Sequence, residues 1–249
     1  MLHLADIKQA ALEVGFHACG VAPAYPLDDR EYPLRQWLSR GWHGGLRYME
    51  RNVDKRMDPS LLLPGARSVI CCVSAYTPPS DAENTETPGR IAAYARGRDY
   101  HTVVKTMLLE LRQRLGIQAK ACCDTAPLSD KRWAARAGLG WIGRHTLLVT
   151  PRWGSWVNLG ELLTSEPCDH YDQPLPSLCS RCNRCVHACP NHALAPLALP
   201  DTFALDARRC TAYYTTHNPT PLPPDVHPHG YSLGCDICQS ACPYNQPHR

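Results

Sequence analysis

The sequence predicts an α+β protein in which an N-terminal sheet domain precedes a small domain held together by metal. Segments of strand and helix character alternate through about residue 165. Closely spaced cysteines then dominate the remaining residues. We place the domains at 1–165 and 166–249, since 249 residues suffice for one sizeable core with a small appended unit.

Composition favours a soluble globular protein, with 44% hydrophobic and 20% charged residues. No apolar run approaches the roughly 18 residues that span a bilayer, and charges stand near the start where a signal peptide would be apolar. We therefore expect a cytoplasmic protein without a membrane partner. The net charge of +3 is too small to indicate nucleic-acid binding by itself.

The first elements follow from hydrophobic periodicity. Residues 3–14 have apolar positions at helical spacing and stop before Gly15, which favours a helix end. The short run 18–22 predicts a strand, and residues 28–40 again have a helical pattern. The β-branched and apolar run 66–76 predicts a buried strand.

The second half of the sheet domain continues this alternation. Residues 77–89 are polar, acidic and proline-rich, so they predict an exposed loop. A glycine-rich connector is expected over 138–146. The remaining patterns predict helices at 102–115 and 131–137, and strands at 117–123, 147–150 and 156–163.

The cysteines have the spacing of a bacterial ferredoxin. The first run is C-x2-C-x2-C-x3-C-P, in which three thiolates bind one [4Fe–4S] cluster and the fourth binds a second cluster. The second run, C-x2-C-x3-C-P, is one cysteine short, and Cys210 completes the count. The crossing rule assigns one cluster to Cys179, Cys182, Cys185 and Cys242, and the other to Cys189, Cys210, Cys235 and Cys238.

Structural zinc and disulfide bonds are the alternatives to iron–sulfur clusters. Neither explains the spacing or the prolines Pro190 and Pro243 that follow the last cysteine of each run. Two clusters alone would suffice for an electron carrier. Because some 165 residues precede them, an enzyme supplied with electrons is the better interpretation.

Asp124 is the candidate catalytic carboxylate. It follows the apolar strand that ends at Cys123, so it should project from a strand end into a cleft, and partial burial there would raise its pKa for proton delivery. The alternative is a helix N-cap for a segment near Pro127. His101 could cap a helix, bind a ligand or pack. Asp99-x-His101 begins a corrinoid-binding D-x-H-x-x-G pattern, but position 104 is valine.

A basic stripe runs through residues 90–152, where carboxylates are sparse. Its cations could hold RNA phosphates or the polar edge of a large cofactor, or they could form a solvated helix face. They are Arg90, Arg96, Arg98, Lys105, Arg112, Arg114, Lys120, Lys131, Arg132, Arg136, Arg144 and Arg152. A nicotinamide or nucleotide triphosphate is not indicated, because neither G-x-G-x-x-G after a strand nor a P-loop occurs in the sequence.

Taken together, these motifs resemble the epoxyqueuosine reductase family. The resemblance runs from the N-terminal helix to Asn245 and includes the cysteine runs. The other stretches that carry it are 44–59, 63–69, 94–101, 124–127, 134–143, 154–156 and 234–239.

The resemblance implies a cobalamin-binding N-terminal domain related to reductive dehalogenases. Electrons from an external donor such as flavodoxin or ferredoxin would pass through two [4Fe–4S] clusters to cobalamin. Reduced cobalt would open the epoxide of epoxyqueuosine at the tRNA wobble position, giving queuosine, with Asp124 protonating the departing oxygen. Residues expected to line the corrin or lie near it are Arg56, Ala95, Tyr100, His101, Asp124, Leu148, Leu159 and Thr211.

The family's substrates would be the tRNAs for Asp, Asn, His and Tyr, and we expect a monomer. The sequence departs from the family pattern at His145 and at Ser129-Asp130-Lys131. It also ends at Arg249, so we expect a short form without the helical C-terminal extension that helps family members hold tRNA. The rival interpretations are a corrinoid reductase acting on a small molecule, such as a dehalogenase, and a non-enzymatic electron carrier or cobalamin-handling protein.

Overall fold

The structure is a computed structural model that describes residues 1–29, 32–78, 89–199, 201–217 and 221–246. Its first half begins with helix α1 (Leu4–Val14), strand β1 (Ala18–Pro23) and helix α2 (Leu34–Ser39). Helix α3 (Val53–Met57) and strand β2 (Ser68–Ala75) follow. Among the described residues, no helix is both long and apolar enough to cross a membrane.

A second group of elements completes the sheet domain. The short strand β3 (Arg90–Ile91) precedes helix α4 (Tyr100–Arg114) and strand β4 (Ala119–Cys122). Helix α5 (Asp130–Arg136) leads into a small hairpin of β5 (Trp141–Ile142) and β6 (Leu148–Val149), and β7 (Val157–Thr164) closes the sheet. Strands β1, β2, β7 and β4 form one antiparallel sheet in the order β1-β2-β7-β4.

Two hydrophobic cores lie on opposite faces of this sheet. One packs α1 and α4 against the sheet through residues such as Ile7, Leu108 and Leu162. The other packs α5 against it through Trp133, Val73 and Leu163. Alternate residues of a strand face opposite sides, so the buried strands β2 and β7 supply both cores.

The cysteine-rich part consists of short elements. These are helix α6 (Arg184–Ala188), strands β8 (Leu194–Pro196) and β9 (Phe203–Leu205), strand β10 (Tyr231–Leu233) and helix α7 (Ile237–Ser240). Helix α6 packs against α7, β8 pairs with β9, and β10 pairs in parallel with β3 of the first half. The pairing of β10 with β3 joins the cysteine-rich part to the sheet domain.

The element predictions are largely confirmed, with two corrections. Within the described residues of the helical pattern predicted over 28–40, the helix begins at Leu34, because Pro33 stands at its N-cap and proline is tolerated only at a helix start. The connector predicted over 138–146 contains β5, which pairs with β6. Most of the loop predicted over 77–89 lies outside the described residues.

Candidate active site and cluster sites

Asp124 lies two residues beyond the end of β4, where the sheet opens to solvent. Its φ of 54° places it in the left-handed region, a strained conformation for a residue with a side chain. The expectation of partial burial is wrong, since 61% of the side chain is exposed. The N-cap alternative also fails, because Ser129 is the N-cap residue of α5.

His101 holds the Asp124 carboxylate in place. Its Nε2 atom lies 3.1 Å from Asp124 Oδ2, and its Nδ1 atom lies 2.7 Å from Asp99 Oδ1. Burial alone would lower the pKa of His101, but hydrogen bonds to Asp124 and Asp99 outweigh it and raise that pKa above its ordinary value. Asp99 is also the N-cap of α4 and accepts the His101 backbone N–H at 3.0 Å. Two carboxylates therefore orient one imidazole.

Aromatic rings and one arginine surround this pair. The Tyr100 ring stacks on His101 with ring centroids 4.0 Å apart, and burial and then Asp124 raise the pKa of Tyr100. Burial and then Asp124 also raise the pKa of Tyr48, over whose ring the Arg56 guanidinium lies at 5.7 Å. Four predicted site residues, Arg56, Tyr100, His101 and Asp124, thus meet at one place.

Two acidic residues that the sequence analysis did not single out lie close to Asp124. Asp130, the first residue of α5, accepts the Asp124 backbone N–H at 3.1 Å through Oδ2. Burial and then the Asp124 charge raise the pKa of Asp130 to about 7. Glu161 is fully buried in β7, and burial followed by Asp130 and Asp124 raises its pKa well above the ordinary value. A signal existed for Glu161, since it is the single charged residue in an apolar strand.

A cavity of about 360 Å³ lies between the sheet domain and the cysteine-rich part. Tyr48 lines it on the Asp124 side, and Cys210 of the second cysteine set lines it as well. The wall is mainly apolar and aromatic, and it carries two basic residues. Named lining residues include Trp37, Tyr48, Tyr94, Tyr213, Lys131 and Arg132.

The four other predicted cofactor residues have separate positions. Ala95 ends a short helical turn beside Tyr94, a cavity residue. Leu159 lies near Asp124, because its carbonyl oxygen is 3.6 Å from the Cys123 Sγ. Leu148 is buried in the core that packs on α5.

Thr211 stands between the cavity residues Cys210 and Ala212, but its own side chain serves the loop structure. Its hydroxyl accepts from Asn191 Nδ2 at 3.0 Å and donates to the His227 carbonyl at 3.0 Å. None of the eight predicted cofactor residues itself lines the cavity.

The first predicted cysteine set surrounds one small cavity. Cys179, Cys182, Cys185 and Cys242 all line it, although Cys242 is distant in sequence. Burial and then the thiols of the other three raise the pKa of Cys185 to about 11. Arg144 closes one side by donating to the carbonyls of Ser180 and Cys182 at 2.8 and 3.1 Å.

The members of the second predicted set are also neighbours. Burial raises the pKa of Cys238 well above its ordinary value, followed by the effects of Cys210, Cys235 and Cys189 and of Cys185 from the first set. Cys235 has Cys210 and Cys189 as neighbours as well. The members of each predicted set thus lie near one another, and the assignment of each thiol to a cluster stays a prediction.

The thiols are arranged around a space and do not meet at a point. Within the part of the chain that the structure describes, no three His, Cys, Asp or Glu side chains are positioned to bind one metal ion. All fourteen cysteines are free of disulfide bonds. Thiols on the walls of a cavity suit a four-iron cluster better than a single zinc ion, whose ligands converge at about 2.3 Å.

Two family models match the chain. Residues 56–130 match "Epoxyqueuosine reductase QueG, DUF1730", and residues 178–245 match "4Fe-4S double cluster binding domain". A curated epoxyqueuosine reductase from Gloeobacter violaceus is 42% identical over 252 residues, which covers 97% of this chain and 76% of that protein.

Solved structures give the same result. The epoxyqueuosine reductase from Streptococcus thermophilus superposes with a TM-score of 0.86 at 30% identity, covering 97% of this chain and 65% of that one. A crystal structure of epoxyqueuosine reductase with a tRNA-Tyr epoxyqueuosine-modified stem loop gives a TM-score of 0.85 at 31% identity, and the match covers 97% of this chain and 64% of that one. The chain thus spans just under two thirds of these solved chains.

A more distant likeness concerns the fold alone. The catabolic reductive dehalogenase NpRdhA in complex with 3-bromo-4-hydroxybenzoic acid has a TM-score of 0.59 at 17% identity, covering 96% of this chain and 31% of that one. The predicted α+β architecture, with its dehalogenase-like first domain and its double-cluster second domain, is confirmed.

Proposed function

Since the chain belongs to the epoxyqueuosine reductase family, we propose that it reduces epoxyqueuosine to queuosine at the wobble position of tRNA. The observation that carries this proposal is the site around Asp124. An exposed carboxylate held by His101 adjoins a cavity that reaches the second cysteine set. This arrangement joins a proton donor, a cofactor space and an electron supply.

Asp124 is the proposed proton donor to the departing epoxide oxygen. Its exposure lets a macromolecular substrate approach, and the His101 contact fixes its orientation. General acid catalysis requires such a group within hydrogen-bonding reach of the oxygen that it protonates. The left-handed backbone at Asp124 turns the chain at the strand end, where the carboxylate projects from the sheet domain.

The two cysteine sets are the proposed ligands of the two [4Fe–4S] clusters. The first comprises Cys179, Cys182, Cys185 and Cys242, and the second comprises Cys189, Cys210, Cys235 and Cys238. The small cavity that the first set lines and the closeness of the thiols in the second set support this assignment. Cys210 touches both the second set and the cavity, so electrons leaving that cluster would reach the cavity over a short distance.

The cavity fits cobalamin in its chemistry. Aromatic walls from Trp37, Tyr48 and Tyr213 suit a large, flat macrocycle, and Lys131 and Arg132 suit its phosphate and amide groups. Cobalamin, when bound, supplies a cobalt centre able to reduce the epoxide. Arg56, Tyr100 and His101 would border it on the Asp124 side. Ala95, Leu148, Leu159 and Thr211 remain predicted contacts.

The substrate and the setting follow from the family. We propose tRNA as the partner, with the tRNAs for Asp, Asn, His and Tyr as the set to examine. A low-potential one-electron donor such as flavodoxin or ferredoxin would reduce the clusters. We further propose that the protein works as a monomer in the cytoplasm and that its basic stripe contributes to tRNA binding.

Anaerobic turnover of epoxyqueuosine-containing tRNA tests this function directly. Protein reconstituted with clusters and cobalamin is assayed beside Asp124→Asn and a Glu110→Gln control, whose carboxylate lies on α4 and pairs with Arg114. We expect queuosine from the wild type and the control, and about 10²- to 10⁴-fold less from Asp124→Asn. A parallel assay with free epoxyqueuosine nucleoside in place of tRNA measures whether turnover requires the tRNA.

Three outcomes separate the alternatives. Equal activity of Asp124→Asn would remove Asp124 from the proposed role. No queuosine, despite reducible clusters and bound cobalamin, would favour a corrinoid reductase of small molecules. A protein that takes up clusters but not cobalamin would be an electron carrier.

A further inference from the structure

Asp130 contacts the backbone of Asp124 at the turn that follows β4. Its Oδ2 accepts the Asp124 backbone N–H, so the two acidic residues are held next to each other at the start of α5. Its Oδ1 atom is enclosed and has no hydrogen-bond partner in the described part of the chain. An enclosed, unpartnered carboxylate oxygen is costly when charged, and it is more easily tolerated when the group carries a proton.

Glu161 lies deeper, in the middle of the sheet. It is 0% exposed and sits in β7 between Cys71 of β2 and Cys122 of β4. Neither of its oxygens has a hydrogen-bond partner among the described residues. Burial without a paired cation among the described residues disfavours the ionised form of this carboxyl group.

The reaction requires more protons than Asp124 alone can hold. This step rests on the proposed function, in which both C–O bonds of the epoxide break, a C=C bond forms and the oxygen leaves as water. This reaction consumes two electrons and two protons. The electrons come from a low-potential one-electron donor through the clusters. Asp124 carries one proton at a time. It is 61% exposed in the free protein, and bound tRNA would separate it from bulk water.

We propose that Asp130 returns a proton to Asp124 within each turnover, with the buried Glu161 carboxyl as its neighbour. Asp124 is the catalytic residue, and Asp130 acts through it. The proton of Asp130 passes to the Asp124 carboxylate through one bridging water after the first donation, and Asp124 then donates again to the oxygen. Solvent reprotonates Asp130 when the tRNA leaves.

The charges around the pair suit this role. Burial and then Asp124 raise the pKa of Asp130 to about 7, and Arg56 on α3 opposes the rise. Burial, followed by Asp130 and Asp124, raises the pKa of Glu161 well above its ordinary value. A group near pKa 7 can both hold and release a proton at neutral pH. Other titratable groups also face Asp124, Asp130 or Glu161. They are Lys131, Tyr32, Tyr48, Tyr100, His101, Cys71, Cys72, Cys122 and Cys123.

The pH dependence of a single turnover tests the relay. Pre-reduced wild type should slow as pH rises through about 7, because Asp130 loses the proton that it would pass on. Asp130→Asn should no longer slow as pH rises through about 7, and it should turn over at least about tenfold more slowly than the wild type at neutral pH. Asp130→Glu should restore the rate and its decrease above about pH 7, and Glu161→Gln should shift or weaken that decrease. The Glu110→Gln control should match the wild type.

An infrared measurement without substrate or cobalamin tests the bound proton itself. The wild type at neutral pH should show the carbonyl stretch of protonated carboxyl groups, reduced in Asp130→Asn and in Glu161→Gln but not in the control. The pH dependence of the free energy of unfolding is a second test of the bound proton. The folded protein holds Asp130 protons that the unfolded chain releases near pH 3.9, so unfolding free energy falls as pH rises from about 4 to about 7. Asp130→Asn should remove part of this fall.

The outcomes distinguish this proposal from the proposed function. An active wild type together with an Asp130→Asn variant that still slows as pH rises through about 7 would overturn the relay and leave the reductase assignment standing. An inactive wild type would count against the reductase assignment, and the infrared signals would still decide whether the buried acids store protons. Absence of a protonated-carboxyl signal near neutral pH would overturn the relay in either case.

Discussion

At the scale of single residues, the site depends on one imidazole between two carboxylates. His101 contacts Asp99 on one side and Asp124 on the other, and both nitrogens therefore face acceptors. Only the doubly protonated ring can donate to both at once. In that form the ring holds both carboxylates through charge-assisted hydrogen bonds.

We predict that His101 titrates above the ordinary range of exposed histidines, because its hydrogen bonds to Asp124 and Asp99 raise its pKa against the opposing effect of burial. Asp99→Asn should lower the midpoint measured by NMR. The histidine pairs contribute little to stability, since the groups are well exposed. That contribution is present at low pH and is lost as pH rises through the folded pKa. An unchanged midpoint in Asp99→Asn would contradict the pairing.

The sequence located Asp124 but not its acidic neighbours, and the reason is physical. A strand that gives way to polar residues marks a sheet edge within a few positions, so the placement of Asp124 could be predicted. The approach of Asp130 and Glu161 depends on how α5 docks on β7, which local periodicity does not encode. The exposure of Asp124 was mispredicted for the same reason, since burial is set by elements distant in sequence.

At the scale of elements, a buried hydrogen-bond cluster joins the sheet domain to the last cysteine of the first cluster set. Asn245, three residues after Cys242, accepts the Ser155 backbone N–H at 2.6 Å. Its amide donates to Ser155 Oγ at 2.7 Å and to the Gln239 carbonyl at 2.8 Å. A side chain at Gly154 would collide with Asn245 and with the Tyr244 carbonyl. This close approach fixes Cys242 relative to β7.

We predict that Asn245→Ala destabilises the protein by about 1–3 kcal/mol, because buried donors and acceptors lose their partner. The first cluster should also bleach faster under a chelator, since Cys242 would be held less firmly. Gln246→Ala is the matched control, because that neighbouring side chain is exposed and donates to the Ser240 carbonyl. Thermal unfolding and absorbance decay measure the two effects, and equal decay in both variants would contradict the role of Asn245.

The elements themselves were more predictable than their contacts. Strands β2 and β7 were predicted because long apolar runs with β-branched residues have few alternatives, and α4 was predicted from its helical periodicity. The two-residue strands β5 and β6 were not predicted as a hairpin. Pairs this short carry no periodicity, and tertiary packing on α5 stabilises them.

At the scale of the whole molecule, the two parts differ in what holds them together. The sheet domain has two extensive apolar cores, whereas α6 and α7 have five and four residues and β8 and β9 have three each. Helices and strands of this length are unstable alone, and small metal-binding domains gain their folding free energy from the metal. The clusters are therefore expected to be structural for residues 178–245 as well as redox-active.

The region between the two parts belongs physically to the first. Asp172 accepts the Val21 backbone N–H at 2.9 Å through Oδ2 and pairs with Lys8 at 2.6 Å through Oδ1. Its own N–H donates to the Val21 carbonyl at 2.9 Å. We therefore predict that residues 166–173 respond to metal removal with the sheet domain, although the sequence places a boundary at 165.

Hydrogen exchange after anaerobic cluster removal tests this division. Amides of residues 178–245 should lose most of their protection, because short elements without iron cannot sustain it. Amides of β2, of β7 and of residues 166–173 should keep theirs, since their hydrogen bonds and apolar contacts do not involve the clusters. Asp172→Asn should lower protection around Val21 without accelerating exchange in α6. Retained protection throughout 178–245 would instead mean that this part folds on its own core, and a uniform loss across the chain would mean that the two parts unfold as one unit.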